Sequence, residues 1–341
     1  MRSSSPPAAE AVQAPEAGDP SPVRRGRRWQ HWERWTQWLF VAPAAAYLLL
    51  FFGYPVVQNL VMSFQRYTVT TFYTGDAPFV GLENYAAVLS SSTFPRTLLT
   101  TAVFTAGSVL GQFAVGLALA LFFRRRFPLG GVLRSLLLLP WLLPLVASGT
   151  TWKWMLDPDT GVVNAVLRGL HLSPSGVPWL TGTSQALLSV VLVNTWVGVP
   201  FNTAILYGGL RDIPPHLYEA AELDGAGPLA SFRHITWPLL RPVARVVLVL
   251  GVVYTVKVLD IILVVTGGGP AGATETIATQ SYELSFRQFD FGRGAALGNL
   301  LIVLSLLFAV LHLRADRRAR ADRHARAVRP SGRAARWPTG E

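Results

Sequence analysis

The sequence predicts an all-α protein embedded in a membrane. Charge is scarce: 14% of the 341 residues are Asp, Glu, Lys or Arg, against roughly a quarter in soluble domains. Apolar residues of the AVILMFWYC class make up 51%, and mean hydropathy is +0.36. Six continuous apolar runs also have the length, about 20 residues, that a helix needs to cross the hydrocarbon core.

The runs fall at roughly 36–57, 98–123, 135–155, 184–208, 243–265 and 292–313. Pro43 and Pro55 lie in the first and Pro140 and Pro144 in the third. Proline is tolerated in a membrane helix where neighbours satisfy the freed carbonyls, so all six stand as spans. None alternates with period two, which argues against a barrel of strands.

Basic residues set the orientation. Arg2 to Arg34, Arg124 to Arg126 with Arg134, Arg211 to Arg245, and the run Arg314 to Arg336 flank one side, 23 in all. The other side has six: Arg66, Arg96, Lys153, Arg168, Arg287 and Arg293. Both termini are therefore expected in the cytoplasm. Residues 1–22 are rich in Pro, Ala and Ser and too polar for the apolar core of a signal peptide. They read as a disordered tail, extending to about residue 28, with the first span as an uncleaved anchor.

Trp29, Trp32, Trp35 and Trp38 recur every three residues before the first span. They read as an interfacial aromatic belt in preference to a partner-binding helix. Arg314, Arg317, Arg320, Arg323, Arg326 and Arg329 repeat the spacing in the C-terminal tail, 314–341. There they suit a solvated tail touching anionic lipid, and nucleic acid is not expected as a partner.

Several chemistries are excluded. With no cysteine, thiol catalysis, disulfide frameworks and iron–sulfur sites fall away. The six histidines show no metal-ligand spacing, so no metal site is expected. Only Lys153 and Lys257 are lysines, in Trp-Lys-Trp and Val-Lys-Val. Neither belongs to the Gly-x-x-x-x-Gly-Lys-Ser/Thr loop that cradles phosphates. No catalytic constellation is visible, and the chain is not expected to be an enzyme.

The stretch 211–242 between the fourth and fifth runs is too long and too patterned for a connector. Pro214 and Pro215 suit a helix start, with Glu219, Ala220, Ala221 and Glu222 as helix formers behind them. Gly225, Gly227 and Pro228 break that helix, and a second short helix is expected from Pro228 towards Thr236, stopping before Pro238. The product is a helix pair outside the membrane, suited to receive force from a soluble partner.

Within it, Glu219-Ala220-Ala221, three residues, Gly225, nine residues, then Ile235 and Trp237-Pro238 resembles the EAA signature of ABC importer permeases. The family has Leu-Pro at the end, and Trp237 is an apolar departure from it. Ile213-Pro214-Pro215, Leu217-Tyr218, Leu223-Asp224-Gly225-Ala226 and Phe232-Arg233-His234-Ile235 resemble its carbohydrate-type subfamily. Phe79-Val80-Gly81-Leu82-Glu83-Asn84-Tyr85 and Thr266-Gly267-Gly268-Gly269-Pro270 extend the likeness, which covers about 36–313.

The resemblance implies a six-helix type I importer permease with both termini inside, in a bacterial inner membrane. It implies a separate ATPase dimer holding ATP and Mg, a second permease chain that is a homologue forming a heterodimer, and an extracytoplasmic solute-binding protein. Docking on the ATPase would fall to residues 213–238, with Glu219 as charged contact, Gly225 as tight turn, and Ala220, Ala221, Asp224, Ile235 and Pro238 completing the motif. Gly267, Gly268, Gly269 and Pro270 would meet the binding protein. On composition alone that loop is equally a flexible, exposed Gly-rich reversal.

Polar groups within spans are candidates for the substrate pathway. Lys257 and Asp260, three apart on a helix, are expected to share a face and neutralise each other. An uncharged sugar asks for amide and carboxylate partners and flat aromatic faces. That selects Asn194, Asp260 and Asn299, with Trp196 and Tyr254; Gln112 and Asn202 are further polar atoms at depth. Each could instead hydrogen-bond a neighbouring helix. A phosphorylated cargo such as glycerol phosphate would favour an arginine near the path, where Arg293 is the one to consider. A stand-alone secondary transporter would require inverted repeats and midplane carboxylates, and only Asp260 lies at depth.

Overall fold

The computed structural model describes residues 27–125 and 127–328, with side chains for 38–125, 127–312 and 314. The tail 1–26 and most side chains of the two basic or Trp-rich flanks, Trp29, Trp32 and Trp35 included, lie outside the described residues. The chain divides into two units, 1–57 and 58–341. In the first, α1 (Arg27–Leu48) passes through a π turn at Leu49–Gly53 into α2 (Tyr54–Met62), which crosses the unit boundary. Five helices are long and apolar enough to span a membrane: 38–62, 94–124, 183–211, 228–255 and 291–312. A bent pair, 130–142 with 145–155, makes six if counted as one span.

In the second unit, α3 (Val69–Thr74) and α4 (Glu83–Leu89) lead into α5 (Phe94–Arg124). The motif before α5 is a clasp: Asn84 Nδ2 donates to Ser63 O (2.9 Å) and Gln65 O (2.8 Å), and Tyr85 Oη lies 2.8 Å from Ser63 Oγ. Ser63 and Asn84 are buried, and these bonds satisfy polar groups that would otherwise be left unpaired.

The third run is not one straight helix. It divides into α6 (Gly130–Leu137), α7 (Leu139–Leu142) and α8 (Leu145–Met155), and turns by 96° at Leu143-Pro144. Proline forces the residue before it out of the helical region, and Leu143 has ψ 142. After α9 (Val162–Gly169), α10 (Thr183–Arg211) runs against α5 along most of its length. Their approach is close: a Cβ on Gly198 would stand 2.3 Å from Gln112 Cδ, so only glycine fits beneath that amide.

Past α11 (His216–Leu223), the expected stop before Pro238 does not occur. α12 (Pro228–Ser231) continues through a π turn at Phe232–Thr236 into α13 (Trp237–Thr255). In that turn Trp237 N–H bonds Phe232 O, five residues back, and this widening of the helix just before Pro238 lets an interior proline, which has no N–H to give, sit in a helix that runs on. The fifth run is also broken. Helix ends at Thr255, and α14 (Asp260–Val265) begins anew after four residues. β-branched Val252, Val253, Thr255, Val256 and Val258 weaken helix propensity there, while Ile261, Ile262 and Val265 are buried in a core with Phe104, Val190 and Val193. Lys257 and Asp260 therefore do not share a helical face. The chain closes with α15 (Ile277–Tyr282), a π turn at Glu283–Arg287 and α16 (Phe291–Val328). Among the described residues there are isolated bridges but no strand.

Candidate functional site

Between α5, α10 and the end of α13 lies a cavity of about 560 Å³. It brings together four of the pathway residues expected from sequence: Asn194, Tyr254, Lys257 and Asp260. Asn194 and Gly198 descend from α10, Tyr254 closes α13, and Lys257 and Asp260 border the break that follows. A break exposes side chains that a continuous helix would spread around its circumference. Among the described residues no ion pair links Lys257 to Asp260; Lys257 Nζ instead stands 5.2 Å from the Tyr254 ring centre.

One wall is aromatic. Trp141, Phe201 and Tyr254 form a row, with ring centres 6.0 Å and 6.4 Å apart. Amides line the same cavity beside the row. Gln112 Nε2 donates to Asn194 O (3.0 Å), and Asn202 Nδ2 donates to Gly198 O (2.9 Å) and, at 3.5 Å, to Gln112 Oε1. Asn194 Nδ2 is buried without a hydrogen-bond partner, the costly state of such a group unless something else accepts from it. Flat faces, an unspent donor and a carboxylate are complementary to a hydroxylated ring.

Two expected pathway residues sit elsewhere. Trp196 packs edge-on against Trp152 at 5.7 Å in the core behind the cavity. Asn299 accepts from Asn59 Nδ2 (2.8 Å) and donates to Tyr85 Oη (3.3 Å), extending the clasp before α5. Sequence reasoning missed Trp141 and Phe201. Their signal was available as aromatic residues inside polar-bearing spans, but nothing in the chain distinguishes them from lipid-facing rings.

The 213–238 loop caps one end of the bundle. Its turn is a Schellman motif: Ala226 N–H bonds Ala221 O (2.8 Å) and Gly225 N–H bonds Glu222 O (3.0 Å), with Gly225 at φ +78. Tyr218 Oη lies 2.9 Å from Thr236 Oγ1, tying α11 to the π turn. Ile213 is buried, and Leu217, Ile235 and Trp237 pack on the same cluster, which fixes the root of the pair. Glu219, Ala220 and Asp224 are exposed, while Ala221, Ile235 and Pro238 are half-buried. Leu223, between these acidic side chains, is 91% exposed.

The glycine loop lies at the other end. It is tied rather than loose: Thr274 Oγ1 donates to Gly269 O (2.9 Å) and meets Thr266 Oγ1 at 2.7 Å. Gly267 is exposed, while Gly268, Gly269 and Pro270 are half-buried, which corrects the expectation of an exposed reversal. Beside it is a cup of about 320 Å³ bordered by Glu275, Glu283 and Arg287. Burial, reinforced by Glu283 and opposed by Arg96, raises the Glu275 carboxyl above the usual range.

The family described as "Binding-protein-dependent transport system inner membrane component" matches residues 112–321. The trehalose/maltose transport system permease protein MalF of Thermococcus litoralis is 38% identical over 279 residues, 82% of this chain and 92% of its own. The sulfoquinovosyl glycerol transport system permease protein SmoG of Agrobacterium fabrum is 35% identical over 279 residues, 82% of this chain and 89% of its own. In fold, the chain is similar to a bacterial ABC transporter crystallised for its import of the acidic polysaccharide alginate. The TM-score is 0.74 at 23% identity, covering 86% of this chain and 99% of that one. The type I importer fold is therefore borne out. With 62% of its length inside the family match, the chain belongs to the binding-protein-dependent transport system inner membrane components, the non-enzymatic permease subunits of ABC importers.

Proposed function

We propose that this permease carries a sugar or oligosaccharide, and that the cavity around Asn194 is its part of the route. The observation that supports this is the pairing of an aromatic row with an unspent amide donor. Apolar C–H faces of a sugar ring would lie on Trp141, Phe201 and Tyr254, Asn194 Nδ2, enclosed in the single chain, would donate to a hydroxyl once its side chain turns into the cavity, and Asp260 would accept from another. Lys257 and Asp260 together leave the wall nearly neutral, which suits an uncharged cargo. A phosphorylated cargo is less well served, because Arg293 is engaged with Asp290 at 3.4 Å and does not border the cavity.

Trp141 and Tyr254 are both more than half exposed, so the route would be completed by a second, homologous permease chain. An ATPase dimer, holding ATP and Mg, would grip α11 through Glu219 and Asp224. Ala220 and Ala221 would allow close approach, and Gly225, Ile235 and Pro238 would hold the pair's shape. Closing of that dimer on ATP would push the pair and rock the spans. Gly267 to Pro270 would face the solute-binding protein outside, with both termini in the cytoplasm and lipid around the bundle.

Gentle purification of the tagged chain with mass spectrometry tests this reading. The wild type is expected to bring an ATPase subunit and a second permease, and a Glu219→Ala/Gly225→Asp variant to lose the ATPase. Retention of the ATPase by the variant would overturn the docking assignment. A phosphorylated ligand in the accompanying binding protein would overturn the cargo.

A further inference from the structure

At the loop end of the bundle, away from the cargo cavity, Arg124, Arg125, Arg134 and Arg211 border a second cavity of about 420 Å³. Among the described residues no acidic side chain lines it. Two arginines are held in place by aromatic faces: Arg124 Cζ lies 3.8 Å from the Tyr218 ring centre, and Arg134 Cζ lies 4.5 Å from that of Tyr207. Among the described residues none of the four forms an ion pair with a carboxylate. The start of α6 opens into the same space. The N–H of Gly131, which borders the cavity, has no hydrogen-bond partner among the described residues, and a Cβ there would meet nothing within 4 Å. Converging guanidinium groups and free helix-start amides bind phosphate-type oxyanions.

The cavity does not end there. Gly131, Arg134 and Tyr207 also border a groove of about 680 Å³ between α6 and α10. Beyond Arg134 and Tyr207 its walls are mainly apolar, formed by Val132, Leu137, Leu138, Pro200 and Ala204. From Tyr207 to Pro200 it follows α10 inward for about 10 Å. A soluble phosphate would use the basic end and leave the apolar one empty. A molecule with a phosphate head and a hydrocarbon tail would use both.

We propose that this is a binding site for an anionic phospholipid, with the phosphate head among Arg124, Arg134 and Arg211 and an acyl chain in the groove. Basic pockets where spans end are suited to such headgroups. Because Arg124 stacks on Tyr218 of α11, a seated lipid would brace the root of the projecting helix pair. The site depends on no assignment of cargo.

The test uses the assembled importer, equilibrated with mixed micelles of phosphatidylglycerol and phosphatidylcholine and then gel-filtered into lipid-free detergent. Retained lipid is counted per protein by mass spectrometry. The wild type is expected to keep phosphatidylglycerol preferentially. Arg134→Gln should cut its retention about fivefold, and Arg134→Gln/Arg211→Gln about 25-fold. Ala204→Phe fills the groove with all arginines intact and should also lose the lipid. Arg134→Lys, which keeps the charge, should retain most of it and serves as the folding control, as does Arg66→Gln outside the pocket. Equal retention by wild type and double variant would overturn the proposal. Displacement of the lipid by inorganic phosphate, with Ala204→Phe indifferent, would overturn it in favour of a soluble anion. Loss of the ATPase subunit from the arginine variants with lipid retention unchanged would overturn it in favour of a protein contact.

Discussion

Gly198→Ala puts the contact between α5 and α10 under direct strain. A Cβ at 198 would stand 2.3 Å from Gln112 Cδ and 2.5 Å from its Oε1, so the amide must retreat by about 1 Å to reach ordinary contact. Gln112 is only 6% exposed, and retreat breaks its bonds to Asn194 O and Asn202. Interhelical bonds inside membranes average about 0.6 kcal/mol each, and a buried amide left unpaired costs about 1–3 kcal/mol. Against this, alanine favours helix over glycine by about 1 kcal/mol. The net expectation is a loss of about 1–2 kcal/mol, seen as a lower unfolding temperature of the purified protein in detergent. Shortening the opposing side chain distinguishes the cause. Gln112→Ala in the same chain should recover most of the Gly198→Ala loss, giving a coupling energy of about 1 kcal/mol in a double-mutant cycle. An unchanged or raised unfolding temperature in the single variant, or additive effects in the double, would refute the reasoning.

Three further outcomes are expected. Asn194→Leu should slow cargo uptake about two- to tenfold, the worth of one hydrogen bond, while ATP hydrolysis still responds to the loaded binding protein; loss of both would place Asn194 in the scaffold instead. Trp237 packs against Phe113 at 6.5 Å and Phe232 at 6.4 Å, so Trp237→Ala should cost about 2 kcal/mol, less than the 3–5 of a fully buried tryptophan, and weaken stimulation of the ATPase; unimpaired stimulation would show that the pair's root is anchored elsewhere. Glu275 has its carboxyl raised by burial, so the folded state favours the protonated form, and stability should rise as pH falls from neutral through its folded pKa, levelling off below the ordinary glutamate value. Glu275→Gln should flatten that slope in thermal unfolding measured across pH, and an identical slope would refute the assignment.

The spans that were legible in the sequence are those in which apolar continuity and helical continuity coincide. The expected 98–123, 184–208 and 292–313 correspond to helices at 94–124, 183–211 and 291–312. Composition marks what lipid or core will accept, but it cannot say whether the backbone inside an apolar run is one helix. At 135–155 the prolines were visible, yet the size of the turn at Leu143-Pro144 depends on what α8 packs against. At 243–265 the break depends on α14 being held by α8 and the core around Phe104, contacts made by distant parts of the chain. Asn299 was misplaced for a related reason: its depth in a span is local information, and its partners Asn59 and Tyr85 are not.

These departures from regular helix coincide with the regions proposed to work. The break at 256–259 lets Tyr254, Lys257 and Asp260 reach one cavity. The bend at Pro144 puts Trp141 on one side of it and Leu145 on the other, both bordering the same space. The π turn at 232–236 keeps the proposed coupling pair and α13 in one helix, because the helix never stops between Pro228 and Thr255. A continuous α13 would commit its polar groups to successive faces, and a helix ending before Pro238 would let the pair swing without moving the span. Local rules are commonly broken where function needs a different geometry, and here the breaks fall in the regions proposed for cargo and coupling. The Gly225 turn complements this: there the local rule is kept, since a left-handed Schellman glycine gives α11 the fixed end that the proposed coupling requires.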